Sequence, residues 1–193
     1  MTSLEITRKE KYLRYLEECL FIKGGRWIAN FDVAIRDFNI RKVMKNKGHL
    51  DQLKDLTALI YGGVKGKGFI LSRAFAFLAS PTYVVACAVI DIQNTKNMKW
   101  STIVDWVRQV RYIMDIMEFE WSWIVFFGEG NLPDKVLNHF QKFNQREIGL
   151  VYANLTSNQI YNSDGFIARR GAKLFHPENV DRKGFSLKFW RKN

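Results

Sequence analysis

The sequence predicts an α/β fold: a single domain over residues 1–193 with a central mixed sheet of four to five strands flanked by helices. Three observations carry that expectation. Residues 83–92, 121–127 and 148–155 are nearly unbroken runs of apolar and β-branched residues, as in strands covered on both faces. The segments between them set their apolar residues at helical spacing, with Ile103, Val107, Val110 and Met114 in one and Val136, Phe140 and Phe143 in the other. A chain of 193 residues that is 47% hydrophobic also buries one sizeable core more readily than two. Strand, helix, strand, helix, strand favours parallel pairing through right-handed crossovers.

The remaining elements follow in chain order. Thr7-Arg8-Lys9-Glu10 has the form of a capping box, and Leu13, Leu16 and Leu20 recur after it, which predicts a helix over 8–22 ended by Gly24-Gly25. From 27 to 35 the odd positions are apolar, while Asn30, Asp32 and Arg36 take the other side, so a strand carries Asp32 on its more polar face. Leu50, Leu53, Leu56 and Ile60 predict a helix, 62–68 a glycine-rich loop and 69–78 a further helix, which makes 39–80 a helical insertion. Ser101 caps the helix of 101–117, and Pro133 opens the next one in its first turn. Residues 156–193 read as a basic C-terminal extension in which Arg169, Arg170 and Lys173 alternate with Phe166 and Phe175. Such interleaving suits phosphate contact with base stacking, and equally an edge hairpin with solvated charges.

A formal charge of +11 and a pI near 9.7 give a positive field that attracts polyanions, for which DNA, RNA and an anionic membrane surface all qualify; nucleic acid is the expected partner, with DNA favoured over RNA in the leading reading below. No membrane-spanning run and no apolar signal core are visible, which predicts a cytoplasmic, intracellular protein without a membrane partner. Cys19 and Cys87 read as reduced core residues, and the scattered His49, His139 and His176 offer no zinc spacing.

Chemistry is expected at the polar end of the 83–92 strand. Residues two apart on a strand share a face, so Asp91 and Gln93 project together from an otherwise apolar segment. With Asp32 on a neighbouring strand and Glu18 on the first helix, three carboxylates would bind one hard cation, Mg²⁺ or Mn²⁺. The cation would lower the pKa of a water and stabilise charge on a scissile phosphate. Asp37, Asp51 and Asp55 are rival carboxylates.

In this order of elements and in Val89-Ile90-Asp91-Ile92-Gln93 the chain resembles the PD-(D/E)XK nucleases, the restriction-endonuclease-like superfamily, over roughly two-thirds of its length. The resemblance implies a restriction-endonuclease-like core and a metal-dependent endonuclease, with Glu18 as the helix carboxylate and Asp32 as the first strand carboxylate. It also implies a Mg²⁺ site formed by Glu18, Asp32 and Asp91, and a homodimer that cuts both strands. Gln93 stands where the family has Lys, so Gln93 would position water, with Lys96 or Lys99 supplying the ammonium.

Lys65, Lys67, Lys99, Arg108, Arg111, Arg169 and Arg170 are the expected nucleic-acid contacts. The Gly62 to Gly68 loop lacks the Walker A spacing and reads as a basic loop on the phosphate backbone. Asp91 reads alternatively as the cap of a turn, and Asp32 and Glu18 as solvated surface residues. Two other functions therefore stay open: a non-catalytic nucleic-acid-binding protein of the same fold, and a basic structural or assembly protein.

Overall fold

The computed structural model describes residues 6–24, 30–40, 54–64 and 83–180. Helix α1 (Arg8–Cys19) leads through a π-helical turn (Leu20–Gly24) towards strands β1 (Asn30–Phe38), β2 (Leu56–Val64) and β3 (Tyr83–Ile92). Helix α2 (Trp100–Met117), β4 (Trp121–Gly128), α3 (Asp134–Lys142), β5 (Ile148–Asn154), β6 (Gln159–Asn162) and α4 (Phe166–Leu174) follow, with a final 3-10 turn (Pro177–Val180).

The strands form one mixed sheet in the order β1-β2-β3-β4-β5-β6. β3, β4 and β5 are parallel, as their helical crossovers require, and β1, β2 and β6 join by antiparallel pairing. From Ser122 to Gly128 and from Ile148 to Asn154 every residue is buried, which needs a helical layer on each face. One layer is α2 and α3: Ile103, Val110, Val136 and Phe140 pack with Ala88, Ile90, Ile124 and Leu150. The other is α1 and the region after α4: Tyr12, Leu16 and Phe175 pack with Cys87, Val89, Trp123 and Val125. Period-two alternation thus divides one sheet between two cores.

Four expectations are corrected. The sheet has six strands rather than four or five, because β1, β2 and β6 add to the crossover strands. The helix expected through Leu56 and Ile60 is strand β2, in which Ala58 and Ile60 enter the α1-side core and Leu59 the opposite one. A spacing of three or four apolar residues reads as helical when both faces of a strand are buried. Gly62 and Gly63, expected in a loop, pair within β2 to Val85 and Val84. Residues 159–180, expected in a basic extension, supply β6, α4 and the fully buried Phe175. The proposed helix at 69–78 lies outside the described residues, as do Lys65, Lys67 and 181–193.

α4 lies close against β5 because glycine faces it on both sides. A Cβ on Gly149 would stand 2.6 Å from the Ala168 backbone nitrogen, and one on Gly171 would stand 2.8 Å from the Trp123 ring. Gly149→Ala is expected to push α4 off the sheet at a cost of about 1–3 kcal/mol, as overpacked cores do. Thermal unfolding followed by circular dichroism should show a drop of several degrees; an unchanged midpoint would mean that α4 does not dock there.

Candidate functional site

Asp91 is the penultimate residue of β3 and lies on the face that Val85, Cys87 and Val89 turn towards α1. It pairs with Phe127 of β4 on one side. On the other side the β2–β3 ladder runs only as far as Ala58 and Val89, and the Asp91 amide donates instead to Thr57 Oγ1 at 2.8 Å. Asp91 therefore stands where the pairing of β3 with β2 has stopped while its pairing with β4 continues.

Lys9, in the first turn of α1, reaches this carboxylate. Its Nζ donates to Asp91 Oδ1 at 2.8 Å, to Oδ2 at 3.1 Å and to Gln93 Oε1 at 3.4 Å. Gln93 Nε2 in turn donates to Asp91 Oδ2 at 2.6 Å. Three side-chain oxygens thus converge on one cationic nitrogen. The Lys9 and Asp91 side chains are only 24% and 18% exposed, so their attraction is less screened than that of a surface pair.

A second ionic cluster holds α1 in place. Arg36 of β1 grips the 4%-exposed Glu17 through Nε at 2.7 Å and Nη2 at 2.8 Å, and its Nη1 reaches Glu10 at 2.9 Å. Asp37, at φ 47°, breaks the alternation of β1 so that Arg36 faces α1 while Phe38 enters the α2-side core. Thr7 caps α1 by accepting from the Glu10 amide at 3.2 Å. The reciprocal half of the expected capping box is not made, because the Glu10 carboxylate goes to Arg14 and Arg36, each at 2.9 Å. Tyr12 Oη donates to Phe175 O at 2.7 Å, which ties the helix to the chain beyond α4.

The expected carboxylate trio is not assembled. Asp32 is exposed at an irregularity of β1 between Phe31 and Val33, and Phe31 aligns through Gly62 with Val85. That level is six residues before Asp91 on β3, roughly 20 Å along the strand. Glu18 lies nine residues beyond Lys9 on α1, about 13 Å along the axis and half a turn round it. Burial raises the Glu18 carboxyl's pKa, the Glu17 charge adds to this, and Arg14 opposes it. Among the described residues no group of three His, Cys, Asp or Glu side chains is arranged to hold a metal ion. The rival Asp55 stands just before β2, whose start lies beside the end of β3, and its neighbour Lys54 is fixed by main-chain hydrogen bonds to Gln109 of α2.

The expected basic residues, Lys96 of the catalytic set included, stand at separate places on the described structure. Lys96 and Lys99 are exposed in the turn that follows Gln93, on the same edge as Asp91. Arg111 belongs to the other end of the sheet, where it bonds Glu147 at 3.2 Å and Gln145 at 2.8 Å beside a cavity of about 290 Å³ lined also by Asp115, Glu118 and Glu120. Those acids oppose a phosphate there. Arg108 faces Asp105 at 3.4 Å, Arg169 bonds Asp164 at 3.0 Å, and Arg170 lies over the exposed Phe166 ring at 5.2 Å.

Lys9 is the site residue that the sequence reading missed. A signal was present, since Arg8 and Lys9 occupy the first turn of a helix, where the macrodipole disfavours cations. Lysine there implies a partner elsewhere. No protein-family model, curated protein or solved structure matches this chain.

The clamp on α1 makes a pH prediction. Burial alone would raise the Glu10 carboxyl, but hydrogen bonds and charge from Arg14 and Arg36 outweigh it and hold the group below its ordinary 4.5. A lowered folded pKa contributes stability that is full above the unfolded value and is lost as pH falls through the folded one. Glu10→Gln should therefore unfold at lower urea than the parent at pH 7, with the two midpoints converging as the pH falls below 4.5 and on through the folded pKa. Equal midpoints at pH 7 would show that the clamp adds nothing.

Proposed function

We propose that this protein is a metal-dependent nuclease acting on DNA phosphodiester bonds, with a restriction-endonuclease-like core and its centre at Asp91. The observation that carries the reading is the convergence of Asp91 Oδ1, Asp91 Oδ2 and Gln93 Oε1 on a single cationic atom at the carboxyl end of a buried strand. Open α/β sheets bind ligands outside those strand ends. The order α1, β1, β2, β3, α2, β4 also follows the core of the PD-(D/E)XK superfamily, with an acid-x-Gln that begins in the third strand and ends just past it.

The donor chemistry fits a hard divalent cation such as Mg²⁺ or Mn²⁺, which takes one or two carboxylates and completes its shell with water and phosphate oxygens. Asp91 and Gln93 would hold it, with Asp55, just before the adjacent strand, as the second carboxylate in place of Asp32. When bound, such a cation lowers the pKa of a water and draws charge from the phosphate. Asp91 orients that water, Thr57 keeps the Asp91 backbone fixed, and Lys96 and Lys99 attract the phosphate backbone. In hydrolysis one P–O bond forms to the water oxygen as the P–O bond to the leaving sugar oxygen breaks. The water's proton passes to solvent, and the leaving oxygen takes one back.

A second reading, a non-catalytic nucleic-acid-binding protein of the same fold, is favoured by one observation: Lys9 already neutralises Asp91. Incubation with supercoiled plasmid and Mg²⁺ or Mn²⁺ separates the two. The nuclease reading expects nicking that falls at least about a hundredfold in Asp91→Ala while DNA binding persists, and linear product if two copies act together. Binding without metal-dependent cleavage, with affinity falling steeply as salt rises, would establish the second reading instead.

A further inference from the structure

We infer that the outer face of α1 and α4 is a track for a single nucleic-acid strand, with Phe166 as the platform for an unpaired base and Arg8, Lys11, Arg169, Arg170 and Lys173 as contacts to phosphate. The track goes beyond the nuclease reading and stands whether or not Asp91 cuts. Positions 166, 169, 170 and 173 share the side of α4 opposite the buried Ala168 and Gly171, and all four are exposed. Phe166 is the most exposed large apolar side chain among the described residues, at 67%, and the Arg170 guanidinium lies over one face of its ring at 5.2 Å. An exposed ring alone is ordinary on a protein surface. A ring that heads a row of three cations and carries one of them on its face has the make-up of a site that stacks a base and holds the adjoining phosphate.

Charge is spread unevenly over the two helical layers. The charged residues of α4 are all basic; Asp164, just before it, bonds Arg169 at 3.0 Å, and both side chains are exposed enough for a phosphate to take that place. On α1, positions 8, 11, 12 and 15 share a flank. Tyr12 and Tyr15 turn that flank towards the end of α4 by donating to Phe175 O and Leu174 O, so Arg8 and Lys11 continue the row from Lys173. Arg8 keeps its full charge, because its partner at 2.6 Å is the neutral Asn158 amide. The acids Glu10 and Glu17 go to Arg36 on the other flank. Lys9, next to Arg8, bonds Asp91, so the row ends at the carboxyl end of β3. The opposite layer has no such excess: α2 exposes Asp105 and Asp115 against Arg108 and Arg111, and α3 exposes Asp134 beside Lys135 and Lys142. A polyanion is therefore drawn to the α1 and α4 side. A single strand fits it better than a duplex, since paired bases stay stacked on one another and leave Phe166 no free base to hold.

Fluorescence anisotropy of a short labelled DNA strand of mixed sequence, without metal, tests the track apart from cleavage. The strand should bind more tightly than its duplex. Phe166→Ala should weaken binding about tenfold and leave the salt dependence as it is, while Phe166→Trp, which keeps a stacking face, should bind at least as tightly as the parent. Arg170→Gln with Lys173→Gln should lower the slope of log affinity against log salt by about 1.4, at about 0.7 per phosphate contact. Lys135→Gln with Lys142→Gln on α3 removes the same charge and should lower it by less than half as much. An RNA strand of the same sequence separates the two sources of this chemistry, and Phe166-dependent binding of either supports the track. Strand binding without cleavage leaves the track standing and removes only the nuclease reading. A duplex bound as tightly as the strand, Phe166→Ala binding like the parent, or equal slopes in the two double variants would overturn the inference. So would binding to phosphatidylserine vesicles that needs Phe166 when oligonucleotide binding does not.

Discussion

Everything else in this fold depends on the burial of β3, β4 and β5 on both faces. Parallel strands joined by helical crossovers cannot expose a face, and here α2 and α3 cover one side while α1 and the chain after α4 cover the other. Full coverage leaves no room for a charged group along the strands, so ionic chemistry is confined to their ends. Asp91 stands at such an end, where the β2–β3 ladder has already stopped and a Thr57 hydroxyl replaces the main-chain partner of its amide. The same constraint that makes the core stable makes this carboxylate available.

Two ionic clusters on α1 then do different work. The Glu17–Arg36–Glu10–Arg14 cluster has a buried carboxylate at its heart, held by a forked contact from Arg36, which fixes the helix against β1. The Lys9–Asp91–Gln93 cluster lies at the start of the same helix, is reachable from solvent, and ends a flexible side chain. Rigid placement by the first gives the second a defined position without freezing its ammonium. At the far end of the sheet, four acids surround Arg111 and make that end unsuited to a polyanion, although the chain as a whole is strongly basic.

The crossover half of the fold was legible in the sequence because its signals are local and long: unbroken apolar strands and a wide helical stripe on α2. The first half was less so. β2 has apolar residues on both faces, and a run such as Leu56, Leu59 and Ile60 satisfies helical and strand spacing alike. β6 is four residues long, and the basic residues of α4 mask the two that it buries, Ala168 and Gly171. Asp91 and Gln93 were legible as a same-face pair at a strand end. Their partner was not, because Lys9 is 82 residues away in sequence and meets Asp91 only through the docking of α1. Asp32 misled for a related reason: alternation gives the face of a residue but not its level along the sheet, which only the pairing of β1 with β2 decides.

The central claim is that a divalent cation is drawn to the carboxyl end of β3. Titrating Mn²⁺ into isotopically labelled protein, with amide signals followed by nuclear magnetic resonance, tests it without any assumption about substrate. Paramagnetic broadening should begin at Asp91, Ile92 and Gln93 and extend to Asp55, Thr57 and Lys9. Broadening centred on Glu118, Glu120 and Glu147 at the opposite end, or none at any residue, would contradict it.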